Sequence, residues 1–575
     1  MSAVIPRLRR GTRLRRGLPT GVLLVALGIL VVVPMLFILL AAFSGDVPRP
    51  GAIGLDTLSL DNFAILGTSQ AMGALGNSVL VAGAASVLAL GIGCGLAFLA
   101  ARTDTPGRRF LYFVGIAPLF LPSLVGAIAW SLLGSPATGF LNLLLHGAGL
   151  DVTLDIYTVP GLIMVLALYY APYAFLLVHA SLSLMNPDLE EASFVHGATL
   201  RRTLRRVTFP LAMPAILGSG ILIFALTMEN FPVAQVIGNP GQIDTLPSFI
   251  YRLMNASPSR GNEAAAVSIV LTLVLLVVTA VQQRAVLRRK FTTVTGKGVR
   301  ARTVPLGRWR GPAFAAALLY FALAVVLPLG ALTVASLQSS PYLSSIGQLT
   351  ESDALSFYAL GEMIMSPEFI EVARNSVLTA VLAGVLGTAI SFALAYTVYR
   401  TKAPGRRALE FVAMAPLAVP AIVLGLGLLW TWLVMPLPVY GTMAVLVVAF
   451  LAVFLPQGYR GVASSILQVD RDLEDSAVLL GAPRARAISH VTLPLMRVGM
   501  VSTLLLLLML CMRELSAALF LFTSDTRLLS IMIFDNFDNG AMQGAATVSL
   551  LYCGVILVIA LLAKSLGAKT VDGAR

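Results

Sequence analysis

NSVLVAGAASVLALGIGCGLAFLAARTDTPGRR, residues 77–109, joins an apolar run of membrane-spanning length to a turn that contains three arginines. Residues 375–407 read NSVLTAVLAGVLGTAISFALAYTVYRTKAPGRR, so the stretch recurs at an offset of 298 without a gap. The tetrapeptides NSVL and PGRR coincide in the two copies. Because a helix that crosses the hydrocarbon core needs about 20 apolar residues, each copy predicts a membrane span that ends in a basic loop. The chain is therefore predicted to be a membrane protein with an internal duplication.

The composition indicates that lipid is the main solvent of this chain. Its 575 residues are 58% hydrophobic and 12% charged, whereas an ordinary soluble domain carries about 25% charged residues. A soluble protein this apolar could not cover its surface with polar groups. The three cysteines lie in separate apolar runs and show neither metal-ligand spacing nor a disulfide framework; they are Cys94, Cys511 and Cys553.

Twelve apolar runs are long enough to span a bilayer, and they form two sets of six. The first set lies near residues 19–43, 77–101, 110–134, 159–184, 211–229 and 264–284. The second set lies near residues 312–337, 374–399, 408–434, 438–466, 495–519 and 544–566. Each span is expected to be helical, because hydrocarbon offers the backbone no other hydrogen-bond partner. Proline and glycine interrupt the fourth and tenth runs, which makes the bounds of these two the hardest to place.

Basic residues orient the spans. Six arginines lie within the first twenty residues, and further arginines and lysines fill the loops after the second, fourth, sixth and eighth spans. Two long loops on the opposite side carry more acid than base, including Asp56, Glu351 and Asp353. This positive-inside pattern predicts a multi-pass membrane protein with both termini in the cytoplasm. The same pattern explains the net charge of +13, because the basic loops lie beside membrane lipid. No nucleic-acid partner is needed to explain this charge.

The duplication defines two halves of six spans each. Because six is an even number, both halves have the same orientation and differ from the inverted repeats of several secondary transporters. The predicted fold is an all-α polytopic membrane protein with about 12 transmembrane helices in two parallel six-helix repeats and a pathway between them. A duplicated scaffold without a pathway is the alternative. The predicted organisation is a basic cytoplasmic N-terminus 1–18, a first half 19–284, a basic cytoplasmic linker 285–311, a second half 312–566 and a cytoplasmic tail 567–575.

Two polar segments interrupt the apolar pattern, at residues 186–210 and 470–494. Four landmarks match between them at an offset of 284, and these are Leu189/Leu473, Glu190/Glu474, Gly197/Gly481 and Pro210/Pro494. Asn186, Pro187 and Asp188 predict a helix start, and Gly197 predicts the end of that helix. Each segment is predicted to form a short cytoplasmic helix, parallel to the membrane, that docks on another protein. A solvated loop helix with no partner is the alternative.

The residues Glu191-Ala192-Ser193, followed by Gly197, resemble the EAA loop of binding-protein-dependent ABC importer permeases. The second copy reads Asp475-Ser476-Ala477, followed by Gly481, so each copy departs slightly from the family pattern. In that family the loop is a coupling helix that docks on the ATP-binding subunit, and the fold is that of a type I ABC importer. The resemblance also implies that the membrane is the bacterial inner membrane. The resemblance implies eight docking residues, namely Glu190, Glu191, Ala192, Gly197, Glu474, Asp475, Ser476 and Gly481.

Nucleotide chemistry is expected on a partner. No Gly-x-x-x-x-Gly-Lys-Ser/Thr stretch occurs in the chain, so it lacks the loop that cradles phosphates. The resemblance implies two copies of an ATP-binding subunit, which hold ATP and Mg²⁺, and a periplasmic or lipid-anchored solute-binding protein. The four histidines are scattered and no cluster of acid, base or metal ligands is found. The chain is therefore expected to be a transport subunit, not an enzyme, with no catalytic site, metal site or cofactor of its own.

A second matched landmark lies at the ends of the fifth and eleventh spans. Met228-Glu229-Asn230 corresponds to Met512-Arg513-Glu514 at an offset of 284. Ionisable residues at membrane depth favour a water-filled interior or a mutual pair. We therefore expect Glu229, Asn230, Arg513 and Glu514 to line the outer pathway. The alternative is that Arg513 and Glu514 are interfacial residues or a structural ion pair.

The substrate is indicated by a second resemblance. The fused two-half layout and the stretch Arg513-Glu514-Leu515-Ser516-Ala517 resemble the ferric iron permeases of bacterial importers. Carboxylates suit a hard trivalent cation, whereas Arg513 would also suit an anion. Ferric iron is the expected substrate, and 2-aminoethylphosphonate, thiamine or a polyamine are alternatives. A secondary transporter is the alternative from another class, although it would not need two docking helices.

Overall fold

The computed structural model describes residues 20–51, 57–185, 188–287, 303–340, 347–348, 354–435 and 437–572. Within these ranges the secondary structure consists of helices, turns and three isolated β-bridges, which confirms the predicted all-α fold. Several predictions lie outside the described residues. These concern the N-terminus 1–18, the linker residues 288–302, the helix start at Asn186 and Pro187, the loop acids Asp56, Glu351 and Asp353, and residues 573–575 of the tail.

The first half contains ten of the described helices. They are α1 Thr20–Ala42, α2 Ser69–Arg102, α3 Arg108–Ile116, α4 Ser123–Gly134, α5 Phe140–Gly147, α6 Val159–Ser183, α7 Asp188–Val195, α8 Arg201–Met228, α9 Leu246–Met254 and α10 Gly261–Leu287. Short helical turns at Asp61–Gly67, Ala117–Phe120 and Phe231–Val233 connect them.

The second half contains ten more within the described ranges. They are α11 Gly307–Leu337, α12 Tyr358–Met365, α13 Pro367–Arg400, α14 Arg406–Met414, α15 Ala421–Val434, α16 Met443–Ile466, α17 Arg471–Leu479, α18 Arg484–Met512, α19 Leu529–Asp538 and α20 Met542–Asp572. Short turns lie at Ala415–Ala418, Ala518–Phe520 and Ser524–Thr526.

The helices repeat the register that the sequence shows. Helices α2 and α13 both have 34 residues and begin 298 positions apart, since 367 minus 69 is 298. Helices α6 and α16 begin 284 apart, since 443 minus 159 is 284. The offset changes because residues 135–158 include α5, whereas residues 435–442 form a shorter connection. The duplication is therefore a structural repeat, with a longer loop in the first half.

Ten helices in the described part of the chain are long and apolar enough to cross a membrane, or up to twelve spans if each of two bent pairs counts as one. The bent pairs occupy the predicted third and ninth spans, 110–134 and 408–434. Their two parts meet at 93° and 113°. The fourth and tenth spans, which seemed hardest to place, are instead continuous as α6 and α16, with Pro172 and Pro456 inside them.

Proline causes both bends. Leu121 and Val419 have extended backbones, because a residue before proline is disfavoured in the helical conformation. Pro122 and Pro420, which follow them, also lack the N–H that would continue the helical hydrogen bonds. Pro172 and Pro456 are tolerated because a spanning helix loses little when neighbouring groups satisfy the freed carbonyl.

The first span of each half packs against the other half. Leu27 and Val31 of α1 belong to a buried apolar cluster with Leu394 and Leu409 of the second half. In the opposite direction, the Tyr320 hydroxyl of α11 donates a hydrogen bond to the Leu168 carbonyl of α6, at 3.0 Å. The two halves are therefore interlocked rather than merely adjacent.

The two faces of the helical body are distinguished by their loops. The loops after α2 and α13 contain the PGRR turns, and we call the side on which they lie the basic side, predicted to face the cytoplasm. The opposite side, where α2 and α13 begin, is called the outer side.

The NSVL repeat fixes one short helix in each half on the outer side. The Ser78 hydroxyl accepts the first N–H of α9, from Leu246, at 2.7 Å. The Ser376 hydroxyl accepts the first N–H of α19, from Leu529, at the same distance of 2.7 Å. The neighbouring asparagine of each copy donates to a carbonyl just before the short helix, since Asn77 bonds Asp244 at 3.0 Å and Asn375 bonds Arg527 at 3.4 Å. The recurring tetrapeptide therefore holds α9 and α19 in equivalent positions.

Substituting Gly427→Ala should destabilise the interlocked halves. A Cβ atom there would lie 2.5 Å from the Pro34 carbonyl oxygen of α1, so the backbone must shift, at a cost of about 1–3 kcal/mol. Thermal unfolding of the purified protein in detergent measures the effect. Gly554→Ala is the matched control, because a Cβ there meets nothing within 4 Å. Equal melting temperatures for the two variants would contradict the close approach of α1 to α15.

Candidate functional site

Both polar segments form the helix that the sequence predicts. In the first, α7 begins at Asp188 and Gly197 ends it with a φ of 76°. In the second, the Asp470 carboxylate accepts the Asp472 N–H at 3.0 Å at the start of α17, and Gly481 ends the turn with a φ of 94°. Glycine suits these positions because a side chain rarely adopts a positive φ.

The chain then turns directly into a spanning helix. A π-helical turn at Leu204–Thr208 lies within α8, and one at Ile488–Thr492 lies within α18. The fifth and eleventh spans therefore begin at Arg201 and Arg484 and end at Met228 and Met512, rather than at the predicted 211–229 and 495–519. The arginines that were expected to form a surface loop belong to the first turns of these helices.

Glu190 and Glu474 point into the protein. The Thr208 hydroxyl donates to Glu190 Oε1 at 2.6 Å, and the Thr492 hydroxyl donates to Glu474 Oε2 at 2.9 Å. The exposed fractions of the two residues are only 6% and 2%. These glutamates therefore fasten each polar helix to the first turns of the following span.

The cations beside the two glutamates differ. In the first half, Arg102 Nη2 lies 3.4 Å from Glu190 Oε1, and Arg102 is 1% exposed. In the second half, Arg484 Nε lies 3.3 Å from Glu474 Oε1, and the Tyr396 hydroxyl also donates to this carboxylate. Arg400, the counterpart of Arg102 in the repeat, instead donates to the Ile466 carbonyl at 3.0 Å. The buried glutamate of the polar helix is thus neutralised by different partners in the two halves.

The remaining docking candidates differ in exposure. Five of them are exposed, namely Glu191, Ala192, Gly197, Ser476 and Gly481, and Asp475 is partly buried. Asp475 Oδ2 lies 3.4 Å from Arg471 Nε. Sequence analysis missed the apolar side chains at the ends of both helices, where Val195 is 85% exposed and its counterpart Leu479 is 87% exposed. In both copies, the sequence places an apolar residue two positions before the glycine that ends the helix.

The end of the linker bonds the loop after α2 and lies beside the first polar segment, which the sequence did not indicate. Val304 forms a parallel bridge to Thr103, and its N–H donates to the Arg102 carbonyl at 2.7 Å. Arg310 donates to the Asp104 carbonyl at 2.8 Å, and the Leu306 N–H donates to the Asp104 carboxylate at 2.9 Å. Residues 303–305 also line a cleft together with Glu190 and Phe194.

The four pathway candidates lie where the two halves meet. Phe231, next to Asn230, lies 5.7 Å from Phe534 of α19 between ring centroids, and Ser530 of the same helix donates a hydrogen bond to the Glu514 carbonyl at 2.9 Å. Asn230 is 8% exposed and bonds the Tyr170 hydroxyl at 2.8 Å. The four candidates are thus brought together by the fold, although they come from two spans 284 residues apart in sequence.

Asn230 and Glu514 also have a local structural role. Asn230 Oδ1 accepts the Val233 N–H at 2.9 Å, and Glu514 Oε1 accepts the Ala517 N–H at 2.9 Å. Each side chain therefore caps the short turn that follows its spanning helix. Neither Glu229 nor Arg513 forms a salt bridge of 4.0 Å or less among the described residues.

An aromatic cluster lies between the halves on the outer side of these residues. Tyr251 of α9 and Phe534 of α19 meet at a ring-centroid distance of 5.8 Å, and Phe231 lies 5.7 Å from Phe534. Phe520 lies 6.4 Å from Tyr251. Within the described ranges, no group of three or more His, Cys, Asp or Glu side chains is arranged to hold a metal ion.

Comparison with known families assigns this architecture. The sequence profile of the binding-protein-dependent transport system inner membrane component matches residues 89–292 and 387–570. The chain belongs to this family. One match falls in each half, which confirms the prediction of a fused permease with two type I importer repeats. Permeases of this kind are membrane subunits of ABC transporters and not enzymes, and the ATPase is a separate subunit.

Individual relatives agree with the two-half layout. The permease is 24% identical over 506 residues to the ferric transport system permease protein FbpB of Actinobacillus pleuropneumoniae, which covers 86% of this chain and 70% of that protein. It is 23% identical over 531 residues to the Fe(3+)-transport system permease protein FbpB 2 of Haemophilus influenzae, covering 91% and 93%. A putative 2-aminoethylphosphonate transport system permease protein, PhnV of Salmonella paratyphi A, is 30% identical over 165 residues, covering 28% of this chain and 62% of that protein.

Replacing Glu190 by alanine should destabilise the permease far more than replacing its neighbour Glu191. The substitution leaves the buried Arg102 guanidinium without its carboxylate, and an uncompensated buried charge costs about 3–5 kcal/mol. Glu191→Ala removes an exposed carboxylate and should change stability by less than about 0.5 kcal/mol. Melting curves of the two purified variants give the comparison. If Glu190→Ala melts with the wild type, the ion pair does not fasten the polar segment.

Proposed function

We propose that this permease imports ferric iron and is driven by two copies of an ATP-binding subunit that dock on its two polar segments. The proposal rests chiefly on the similarity to ferric transport permeases, which extends over 86% of the chain and through both halves. ATP and Mg²⁺ bind to the partner subunits. The basic side faces the cytoplasm, with both termini, and a solute-binding protein delivers the substrate to the outer side.

The polar segments are suited to coupling because each is rigidly joined to a pathway helix. Helix α7 is held to the start of α8 through Glu190 and Thr208, and α8 leads to Glu229 at its far end. The 28 residues of α8 span about 42 Å at about 1.5 Å per residue. Movement of a docked subunit is therefore transmitted along one helix to the outer pathway.

The exposed apolar ends of the polar helices are the strongest docking candidates. Burying an exposed apolar side chain on docking is favourable in free energy, and Val195 and Leu479 occupy matched positions. Glu191, Ala192, Ser476 and Asp475 surround them as the polar rim. Glu190 and Glu474 contribute indirectly in this scheme, because their carboxylates are committed to the threonine bonds.

Combining Val195→Asp with Leu479→Asp should uncouple the transporter without unfolding it. Each change places a charge in an apolar contact and is expected to cost about 2 kcal/mol, or roughly 30-fold in affinity for the ATPase. Co-purification with the ATP-binding subunit and ATP hydrolysis stimulated by the binding protein are the measurements. Leu184→Asp is the control, since Leu184 is also 79% exposed but precedes the first polar segment. Normal stimulation in the double variant would refute docking at these helices.

The acidic pathway favours a cation as substrate. Glu229 and Glu514 provide two carboxylates at the junction of the halves, against the single cation Arg513. Carboxylate oxygens are hard ligands that suit a trivalent metal.

Glu229→Gln and Glu514→Gln should each reduce iron uptake at least about fivefold, because each removes a negative charge from a low-dielectric passage. Glutamine keeps the oxygen that caps Ala517, so the fold is preserved. Uptake of radioactive Fe³⁺ into proteoliposomes that contain the ATPase and the binding protein is the measurement. Asp155→Asn, an exposed outer acid, serves as the control. Undiminished uptake by both glutamine variants would refute the pathway assignment.

Arg513 and the similarity to PhnV favour 2-aminoethylphosphonate as the second candidate. A guanidinium binds a phosphonate group well, and Arg513 stands at the repeat position of Glu229. Parallel uptake assays with labelled iron and labelled phosphonate distinguish the two. Transport of phosphonate alone would replace iron as the substrate while leaving the import mechanism unchanged.

A further inference from the structure

The outer face contains the same ion pair in both halves, with its polarity reversed. Helices α9 and α19 begin 283 positions apart, since 529 minus 246 is 283. At this offset Asp244 corresponds to Arg527, and Arg252 corresponds to Asp535. Acid precedes base in the first half, and base precedes acid in the second.

The geometry of the two pairs is closely similar. Arg252 Nη2 lies 2.7 Å from Asp244 Oδ2, and Arg527 Nη2 lies 2.7 Å from Asp535 Oδ2. The preceding NSVL contacts fix both helices in the same way. The charges are therefore reversed although the two short helices are held by equivalent contacts.

The surroundings extend the difference between the halves. Glu368 Oε1 lies 2.7 Å from Arg527 Nη1 and is 61% exposed, whereas the corresponding residue in the first half is Gln70. Across seven matched positions the first half has one acid and one base, and the second half has five acids and two bases. The first set is Gln70, Gly73, Gly76, Gln242, Asp244, Arg252 and Asn255; the second is Glu368, Glu371, Arg374, Asp525, Arg527, Asp535 and Asp538. The first patch is therefore neutral, and the second has a net charge of −3.

The first patch also contains an open polar cleft. Its lining includes Asn77, Asn239, Gln242, Asp244 and Arg252. Gln242 has a φ of 55°, a conformation that costs free energy for a residue other than glycine and is enriched at functional sites. Arg252 remains 48% exposed beside this cleft, so its guanidinium is available to a carboxylate of another protein.

Fold stability does not require opposite polarity in the two halves. A partly exposed ion pair contributes about 0–1 kcal/mol whichever residue carries the acid. A docked protein, in contrast, detects the difference, because complementary charges determine the orientation in which two proteins bind. Solute-binding proteins consist of two lobes that close around their ligand, and the two halves offer one site to each lobe.

We propose that the two patches form an asymmetric docking surface that fixes which lobe of the solute-binding protein sits on which half. The lobe on the second half carries basic side chains opposite Glu368 and Glu371. The lobe on the first half places a carboxylate beside Arg252, in the polar cleft. The inference rests on the proposed function only in requiring that a solute-binding protein docks on the outer side.

Double reversals test this surface while preserving the pairs Asp244–Arg252 and Arg527–Asp535. The second reversal also removes the bridge from Arg527 to the exposed Glu368, which contributes little to stability. The variants are Asp244→Arg with Arg252→Asp, and Arg527→Asp with Asp535→Arg. Each is reconstituted with the ATPase in nanodiscs, and ATP hydrolysis is measured against the concentration of the Fe³⁺-loaded solute-binding protein encoded with the permease. We expect the half-maximal concentration to rise about tenfold at low salt and the difference to shrink at high salt. Hydrolysis without the binding protein and the melting temperature should stay unchanged.

The control reverses the pair Arg260 and Glu263, which also lies on the outer side, with 2.5 Å between its charged atoms, but belongs to neither patch. Half-maximal concentrations within twofold of wild type for both double reversals would overturn the asymmetric surface and leave the proposed importer intact. A wild-type complex that no binding protein stimulates would overturn both.

Cross-linking gives an independent measure of orientation. A cysteine at Gln70 should cross-link one lobe of the binding protein in the wild-type background. The same cysteine should capture both lobes once Asp244 and Arg252 are exchanged, because the two orientations then become similar in free energy. Capture of both lobes in the wild-type background would refute the proposal.

Discussion

The hydrogen bond from a threonine to a buried glutamate, made once in each half, determines how the basic side of this permease is built. Thr208 and Thr492 stand in the first turns of spanning helices, and Glu190 and Glu474 stand on the short polar helices. Burying a carboxylate is costly unless it is hydrogen-bonded or paired, and both carboxylates are. This requirement keeps each polar helix at a fixed distance from its span. Because the Glu190 carboxylate takes part in these buried contacts, Glu190 faces the protein while the next residue, Glu191, is exposed.

The interlocking of the first spans sets the relation between the halves. Helix α1 packs on α15 of the second half, and Tyr320 of α11 bonds the backbone of α6. The pathway residues therefore come from two halves that are also joined by the contacts of α1 with α15 and of α11 with α6. Relative movement of α8 and α18 has to occur around these fixed contacts. The aromatic rings of Tyr251 and Phe534, which meet between the halves, lie where such movement would separate them.

Much of the architecture could be predicted from the sequence. The NSVL and PGRR repeats indicated two parallel halves, because a matching register 298 residues apart leaves little freedom. The glycines at 197 and 481 indicated the ends of the polar helices through their backbone conformation. The bends at Pro122 and Pro420 were not predicted, although the two prolines are 298 residues apart and so match in the repeat. Hydropathy identifies apolar runs but does not show where a helix changes direction.

The site was less predictable because it depends on tertiary contacts. Nothing in the sequence near Glu190 indicates that Arg102, 88 positions earlier, pairs with it. The bridge from Val304 to Thr103 joins residues that are still further apart in sequence, since 304 minus 103 is 201. Exposure of Val195 and Leu479 also could not be derived, since an apolar residue in a polar stretch is as compatible with packing as with docking. The proximity of Glu229 to Glu514 required the parallel repeat to be placed in space.

The crossing of α1 into the second half has a consequence for biosynthesis. Between Ala42, the last residue of α1, and Ala421, the first of α15, the ribosome must add 379 residues, since 421 minus 42 is 379. At about 5–20 residues per second this takes roughly 20–75 s. During that interval α1 resides in the bilayer with lipid covering the face that α15 will later occupy. Helix α1 is strongly apolar and contains no charged residue. It is therefore stable in the bilayer as an independently inserted helix until α15 has been synthesised.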